Sequence, residues 1–362
     1  MPSKQVFHEA QLQHARHYAG ILLTSNHLYW RGSNAMLRGL TLLDQEWYNI
    51  QAGQAWAEMN AGVDKTASQL CGRYAVDGGN CLKLRQYPHE RIRWLEAGLA
   101  AARRLNDRAA EANHLGNLGD AYMDLGDAHR AREYGEQALP ITREIGDRVE
   151  EGRAMGNLGI AYMALGEARQ AIGFIEQDMA IARAIGDRSG EGEALGNLGN
   201  AYKDLGDPQR AIEYYEQSLA IHREVGAKRS EGMILGNLGN AYKDLGDTRR
   251  AIEYYEQDLA IAREIGDRHG KSASLGNLGS SYGALGEARR GIELLDQALV
   301  ITREIRNRRE EGQILGNLGS LFNNLGELQR SKALTEQALA IAREVGDRTE
   351  EGKCLGKLGV HY

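Results

Sequence analysis

The chain has little cysteine, proline or phenylalanine: three, four and three residues in 362. Cys71, Cys81 and Cys354 cannot all pair and show no metal-ligand spacing, so a disulfide framework and a zinc module are excluded and a reducing cytosolic compartment is expected. No run approaches the ~18 consecutive apolar residues of a membrane span, and the N-terminal MPSKQVFHEA lacks the apolar centre of a signal peptide. Neither charge dominates. With 44 basic and 50 acidic residues interspersed and a formal net charge of -6, a nucleic-acid or anionic-membrane surface is not expected. The ten histidines are scattered without a His-x3-His pair, and His14 and His17, three apart, read as a solvated pair. Metal-assisted or nucleophilic chemistry therefore has no constellation to carry it, and no cofactor, metal or enzymatic activity is implied.

Glycine, by contrast, is abundant at 45 residues, and its placement is regular. Gly-Asn-Leu-Gly recurs from Gly116, Gly156, Gly196, Gly236, Gly276 and Gly316, and Gly356-Lys357-Leu358-Gly359 continues the series at the same 40-residue step. A fixed period in this range marks a solenoid, whose units cannot bury their apolar faces alone and must stack.

One unit shows the local logic. Leu195, Leu198, Tyr202 and Leu205 share one helical face, and Gly206 closes that helix. Asp207 then caps a second helix with Pro208 at its first position, where the missing N–H is not needed. Ala211, Tyr215 and Leu219 form its buried stripe, and Gly226 ends it. Most turns to the next unit read Gly-Asp-Arg, at Gly146, Gly186, Gly266 and Gly346, and Asp147–Glu150 and Asp347–Glu350 have capping-box spacing. Gly196 and Gly199 inside the first helix each cost about 0.5–1 kcal/mol relative to alanine, so a close helix–helix approach is expected there. Pro140, where sister copies carry Ala180, Ala220, Ala260 and Ala340, predicts a kink near residues 136–140.

Leu195, Leu198, Gly199, Tyr202, Ala211 and Tyr215 match the spacing of the tetratricopeptide repeat, which the chain resembles over about residues 69–362. The repeat is longer than the family's usual 34 residues. In this it is similar to the arrays of Pins/LGN-type adaptors, of kinesin light chains and of the C-terminal sensors of bacterial STAND signalling NTPases. The resemblance implies an all-α, right-handed α-solenoid of antiparallel helix pairs that binds a peptide or protein segment in a concave groove. Two alternatives remain: the sensing array of a STAND-type NTPase whose catalytic part is absent, and a self-assembling structural solenoid.

The organisation expected is an N-terminal helical cap at 1–68, a degenerate first repeat at 69–108, six full units over 109–348, and an unpaired first helix at 349–362. In the cap, helices are expected over about 4–28 and 34–60, the second capped by Ser33 and packed through Trp47 and Trp56. Trp94 falls where later copies have Tyr134 and Tyr214. Residues 15–108 resemble the helical junction of the STAND proteins. Leu355, Leu358, Val360 and Tyr362 would expose an apolar stripe, through which self-association is conceivable unless further chain covers it.

Two tempting motifs fail on context. Gly266 to Ser272 resembles a phosphate-binding loop, but three residues rather than four separate its glycines and every sister copy has a helix-to-helix turn there. The Glu150-Glu151, Glu310-Glu311 and Glu350-Glu351 pairs stand in first helical turns, where acidic residues complement the helix dipole.

The concave wall of such repeats is built from the first helices. The implied contact residues are the column Asn117, Asn157, Asn197, Asn237, Asn277 and Asn317, with Asn200, Lys203, Asp204, Asn240, Lys243 and Asp244 beside it. A row of amides offers donors and acceptors to an extended backbone regardless of its sequence, and the lysines favour a partner with an acidic element. The competing reading is that the asparagines bridge neighbouring helices.

Overall fold

The computed structural model describes residues 4–31 and 33–359, and every regular element among them is helical. The chain divides into two compact units, one ending at Gly186 and the other starting at Asp187.

In the first unit, α1 (Lys4–Trp30) lies along α2 (Ser33–Asn60), followed by α3 (Lys65–Asp77), the short α4 (Gly79–Arg85) and α5 (Pro88–Leu105). The side-chain cap expected from Ser33 lies outside the described side chains. The irregular stretch before Pro88 is thus two helices, and α3 packs on α5 much as the two helices of a repeat do. Trp94 carries this packing: it is 1% exposed, stacks on Trp47 at 5.9 Å and meets the edge of Tyr74 at 6.2 Å. The Tyr74 hydroxyl donates to the Ala15 carbonyl at 2.7 Å, tying α3 to α1. Two hairpins complete the unit: α6 (Arg108–Leu125) with α7 (Ala128–Ile145), and α8 (Arg148–Ala164) with α9 (Ala168–Ile185).

The second unit is repeats alone. Its hairpins are α10 (Arg188–Asp204) with α11 (Pro208–Glu224), α12 (Lys228–Asp244) with α13 (Thr248–Glu264), α14 (Arg268–Ala284) with α15 (Ala288–Glu304), and α16 (Arg308–Asn324) with α17 (Leu328–Glu344). Helix α18 (Arg348–Gly359) follows. Within each unit every first helix packs on its own second helix and on the first helix of the next hairpin, the stacking that the 40-residue period requires. Both units are therefore all-α solenoids of helix pairs.

The turns follow the sequence reading. Asp207 accepts from the Arg210 amide, and Gly206 and Gly226 take positive φ of 79° and 70°. Two positions in the Gly226 column carry no glycine and still take positive φ: Asn106 at 53° and Arg306 at 57°. The capping boxes are only half made, because Asp147 accepts from the Glu150 amide while the Glu150 carboxylate takes Arg153 at 3.2 Å. The residues of the phosphate-loop look-alike begin α14, with Asp267 capping the Gly270 amide at 3.0 Å. Helix α7 runs unbroken through Pro140.

The internal glycines mark close approach. A Cβ at Gly199 would lie 2.4 Å from Tyr215 Cε1, so the Tyr215 ring occupies the space that a side chain would need. The Tyr215 hydroxyl continues past Gly199 to donate to Asn200 Oδ1 at 2.7 Å.

Most junctions between hairpins are also clamped electrostatically. The Glu111 carboxylate receives Arg103 at 2.9 Å and Arg108 at 2.7 Å, and Arg108 also reaches Glu144 at 2.6 Å. The pattern recurs at Glu151, Glu231, Glu311 and Glu351. Burial alone would raise the carboxyls of Glu111, Glu231 and Glu311, but hydrogen bonds from their paired cations hold them below the usual range. At the equivalent place in α14 stands Lys271.

Candidate functional site

The exposed stripe of each first helix is made by residues four, three and four apart. In α12 it comprises Met233, Asn237, Asn240 and Asp244, because the opposite face, with Leu235, Leu238 and Ala241, is buried on α13 and on the neighbouring hairpins. The column Asn117, Asn157, Asn197, Asn237, Asn277 and Asn317 falls on this stripe in every hairpin, and each is half-buried.

Three of the six bridge to the preceding first helix. Asn157 Nδ2 donates to Asp120 Oδ1 of the preceding first helix at 2.7 Å, Asn237 to Asn200 Oδ1 at 3.3 Å, and Asn317 to Ser280 Oγ at 3.0 Å. Asn117 bonds within its own helix, to Asn113. At the C-terminal end, where the series changes to Lys357, the ammonium reaches the Gly316 carbonyl at 2.9 Å. Asn197 and Asn277 make no side-chain hydrogen bond among the described residues. An asparagine amide has two donors and an acceptor oxygen, so even the bridging members retain capacity for a ligand. Asn200 and Asn240 are anchored by the Tyr215 and Tyr255 hydroxyls, each at 2.7 Å.

At the end of the stripe, Lys203 is half-buried and Asp204, Lys243 and Asp244 are exposed, and none of the four forms an ion pair among the described residues.

Beside Asn237, Asn240 and Asn277 the second unit holds a cavity of ≈ 250 Å³, also lined by Arg229, Met233 and Asp258. Asp258 comes from the second helix, α13, at a position where sister copies carry Ala138, Asp178, Ser218, Ala298 and Ala338. It is 9% exposed, and burial pushes its carboxyl up to about 6 although Ser274 Oγ donates to it at 2.7 Å. Sequence reasoning restricted to first helices missed this residue; the recurrence of aspartate, at 178 and 258, in a column of small residues was the available signal. In the first unit a second cavity, of ≈ 360 Å³, lies beside Asn117, Asp120 and Arg153 and is reached by Lys83 and Arg91. Lys83 of α4 and Arg91 of α5 converge on Asp124 at 3.0 and 2.9 Å.

No group of three His, Cys, Asp or Glu among the described residues is placed to hold a metal ion, and no helix there is long and apolar enough to cross a membrane. All three cysteines are buried. On α18, Leu355 is 47% exposed and Leu358 half-buried, while Val360 and Tyr362 lie outside the described residues.

The comparisons agree with this geometry. No curated protein matches the sequence significantly. Among solved structures, aspartyl phosphate phosphatase F from Bacillus subtilis aligns with a TM-score of 0.64 at 14% identity, over 94% of this chain and 95% of that one. A signal transduction ATPase with numerous domains (STAND) carrying a tetratricopeptide repeat sensor, from Pyrococcus horikoshii, aligns at 0.62 and 17% identity over 97% of this chain and 55% of that one. A Rap protein complexed with Competence and Sporulation Factor aligns at 0.62 and 14% identity, over 94% of this chain and 99% of that one. These likenesses concern the fold. The sequence itself matches tetratricopeptide repeat profiles at residues 110–184, 150–224, 230–304 and 312–345. With the period, the hairpins and the stacking already established, the chain belongs to the tetratricopeptide repeat family.

Proposed function

We propose that the chain is a non-catalytic interaction scaffold that holds a peptide or protein segment along the exposed face of its first helices. One observation carries this reading: that face presents amides with unused hydrogen-bonding capacity, two of them without a partner among the described residues, next to lysines that form no ion pair among those residues. An extended peptide backbone needs a donor and an acceptor at regular intervals, which an asparagine row supplies without reading sequence. Sequence preference then falls to the residues flanking the row. Lys203 and Lys243 select an acidic element, and Met233 beside Asn237 adds an apolar contact. The Rap protein of similar fold, whose structure is a complex with Competence and Sporulation Factor, supports this reading.

The test is selection of displayed peptides on the intact chain, followed by affinity measurements on Asn277→Ala and on Lys203→Glu/Lys243→Glu. Peptides containing Asp or Glu should be selected, and the double charge reversal should weaken them about tenfold or more, since each lost charge-assisted contact is worth roughly 1.5–3 kcal/mol. Unchanged affinity in both variants would remove the reading.

A sharper form makes the chain the sensing part of a larger signalling ATPase. It is motivated by the match to the STAND protein, of which 55% is covered. A source gene with no nucleotide-binding segment encoded upstream would dispose of it.

A further inference from the structure

Where α1, α3, α5 and α6 meet there is a cavity of ≈ 660 Å³, within the size range of small-molecule sites. None of its lining residues belongs to the asparagine row. One of them, His114 on α6, is 2% exposed, and its Nδ1 has no hydrogen-bond partner. Its column elsewhere holds Ala154, Ala194, Ile234, Ser274 and Ile314, all buried; the other polar member, Ser274, is satisfied by Asp258 and by the Gly270 carbonyl. The room for an imidazole comes from Gly72 on α3 and Gly98 on α5. A Cβ at Gly98 would lie 2.7 Å from His114 Cε1, and one at Gly72 would lie 3.2 Å from Nε2. Helices α3 and α5 thus lack side chains where this ring sits, and its buried Nδ1 is left unsatisfied, a cost that plain packing does not call for.

The charged wall is unbalanced. Arg16 is exposed and has no partner among the described residues, and Arg73 uses its Nε on Asp77 at 2.9 Å. The single acid of the lining, Asp107, is engaged as the cap of α6, accepting the Ala110 amide at 3.0 Å. Leu70, Val76, Ala102 and Leu105 make the remaining surface apolar. Asp77 offsets Arg73 and Asp107 is held by its cap amide, so Arg16 is the one charge of the lining without a partner among the described residues; it leaves room for a single negative charge, and the apolar wall for a body attached to it.

We infer that this cavity binds a small organic carboxylate with an apolar body, its carboxylate paired with Arg16 and Arg73 and hydrogen-bonded by the His114 ring. Burial drives the His114 imidazole down to about 4, so near neutral pH the ring is uncharged and offers one N–H. Such a ligand joins the N-terminal helices to the first repeats through contacts on all four elements.

The experiment uses the full chain labelled with 15N-histidine, titrated with phenylacetate and 4-phenylbutyrate, and with phenethylamine as the same body bearing the opposite charge. His114 ring nitrogens, assigned by their loss in His114→Ala, should shift saturably with at least one carboxylate, with Kd tighter than about 1 mM, and should not shift with the amine. Arg16→Ala, on an exposed side chain, should weaken the carboxylate about tenfold while leaving helicity unchanged. Should His114→Ala fail to fold, calorimetric titration of wild type against Arg16→Ala decides the matter. Absence of saturable binding by both carboxylates, equal binding of the amine, or an Arg16→Ala affinity equal to wild type would each overturn the inference.

Discussion

Lys271 is the one place where the repeated charge clamp is inverted. In the preceding hairpin, Glu231 receives Arg223 at 2.8 Å and Lys228 at 3.2 Å, with its side chain 9% exposed. The residues that correspond to those cations around Lys271 are Arg263 and Arg268. Arg263 has no ion pair among the described residues, and Arg268 turns to Glu304 instead. Lys271→Glu should therefore create two ion pairs and remove a like-charge contact at once. Because the guanidinium partners in sister copies are about half exposed, each pair is discounted toward ~0.5–1 kcal/mol, for a total gain of roughly 1–2 kcal/mol. Repeat arrays unfold by nearest-neighbour coupling, so a single melting temperature would dilute the effect. Amide hydrogen exchange reads it locally. Protection across α13 and α14 should rise about 5–30-fold while α6 and α7 stay unchanged, and the gain should shrink in high salt. The converse change, Glu231→Lys, should lower protection across α11 and α12 by at least as much. Unaltered or reduced exchange protection in Lys271→Glu, with helicity intact, would refute the view that these clamps stabilise the stack.

Three further outcomes are expected. Asp258 has a raised folded-state pKa of about 6, so its neutral form is favoured on folding. The wild-type protein should then lose stability as pH rises from about 4 through 6, and Asp258→Asn should match it at pH ~4 but exceed it by about 1–3 kcal/mol at pH ~8, as read by urea denaturation. Gly199→Ala should destabilise by roughly 1–3 kcal/mol by displacing the Tyr215 ring, whereas Gly356→Ala, where nothing lies within 4 Å, should stabilise by up to ~1 kcal/mol in the same assay. Arg306→Gly should raise stability by about 0.5–1 kcal/mol, because φ 57° strains a residue with a Cβ; a loss on thermal denaturation would show that the arginine side chain outweighs that strain.

Much of this molecule is local in origin. The forty-residue period, the capping aspartates, the positive-φ glycines and the alternation of two helices were all legible, because each depends on residues within one turn or one hairpin of each other. The glycines of the first helices were legible as a need for space. Which group takes that space differs from copy to copy: Tyr215 at Gly199, Ile175 at Gly159 and Thr335 at Gly319. The irregular stretch before Pro88 was harder to read, since α3 is tied through its own Tyr74 to Trp94 and to Ala15 in distant segments and not by a repeated motif.

The asparagine column shows where sequence stops. Its identity and spacing were plain, but whether an amide turns toward the next helix or toward a ligand depends on the residue 37 positions earlier, which is Asp120 for Asn157, Asn200 for Asn237 and Ser280 for Asn317. Asp258, His114 and Lys271 escaped for the same reason: each departs from most of its sister copies, and its meaning lies in partners that only stacking brings near. Sequence by itself determined the unit and the obligation to stack, because a hairpin with one apolar face has no other way to bury it. Tertiary structure decided which polar groups are spent in holding neighbours together and which stay open, because that division is set by distances between side chains on different hairpins.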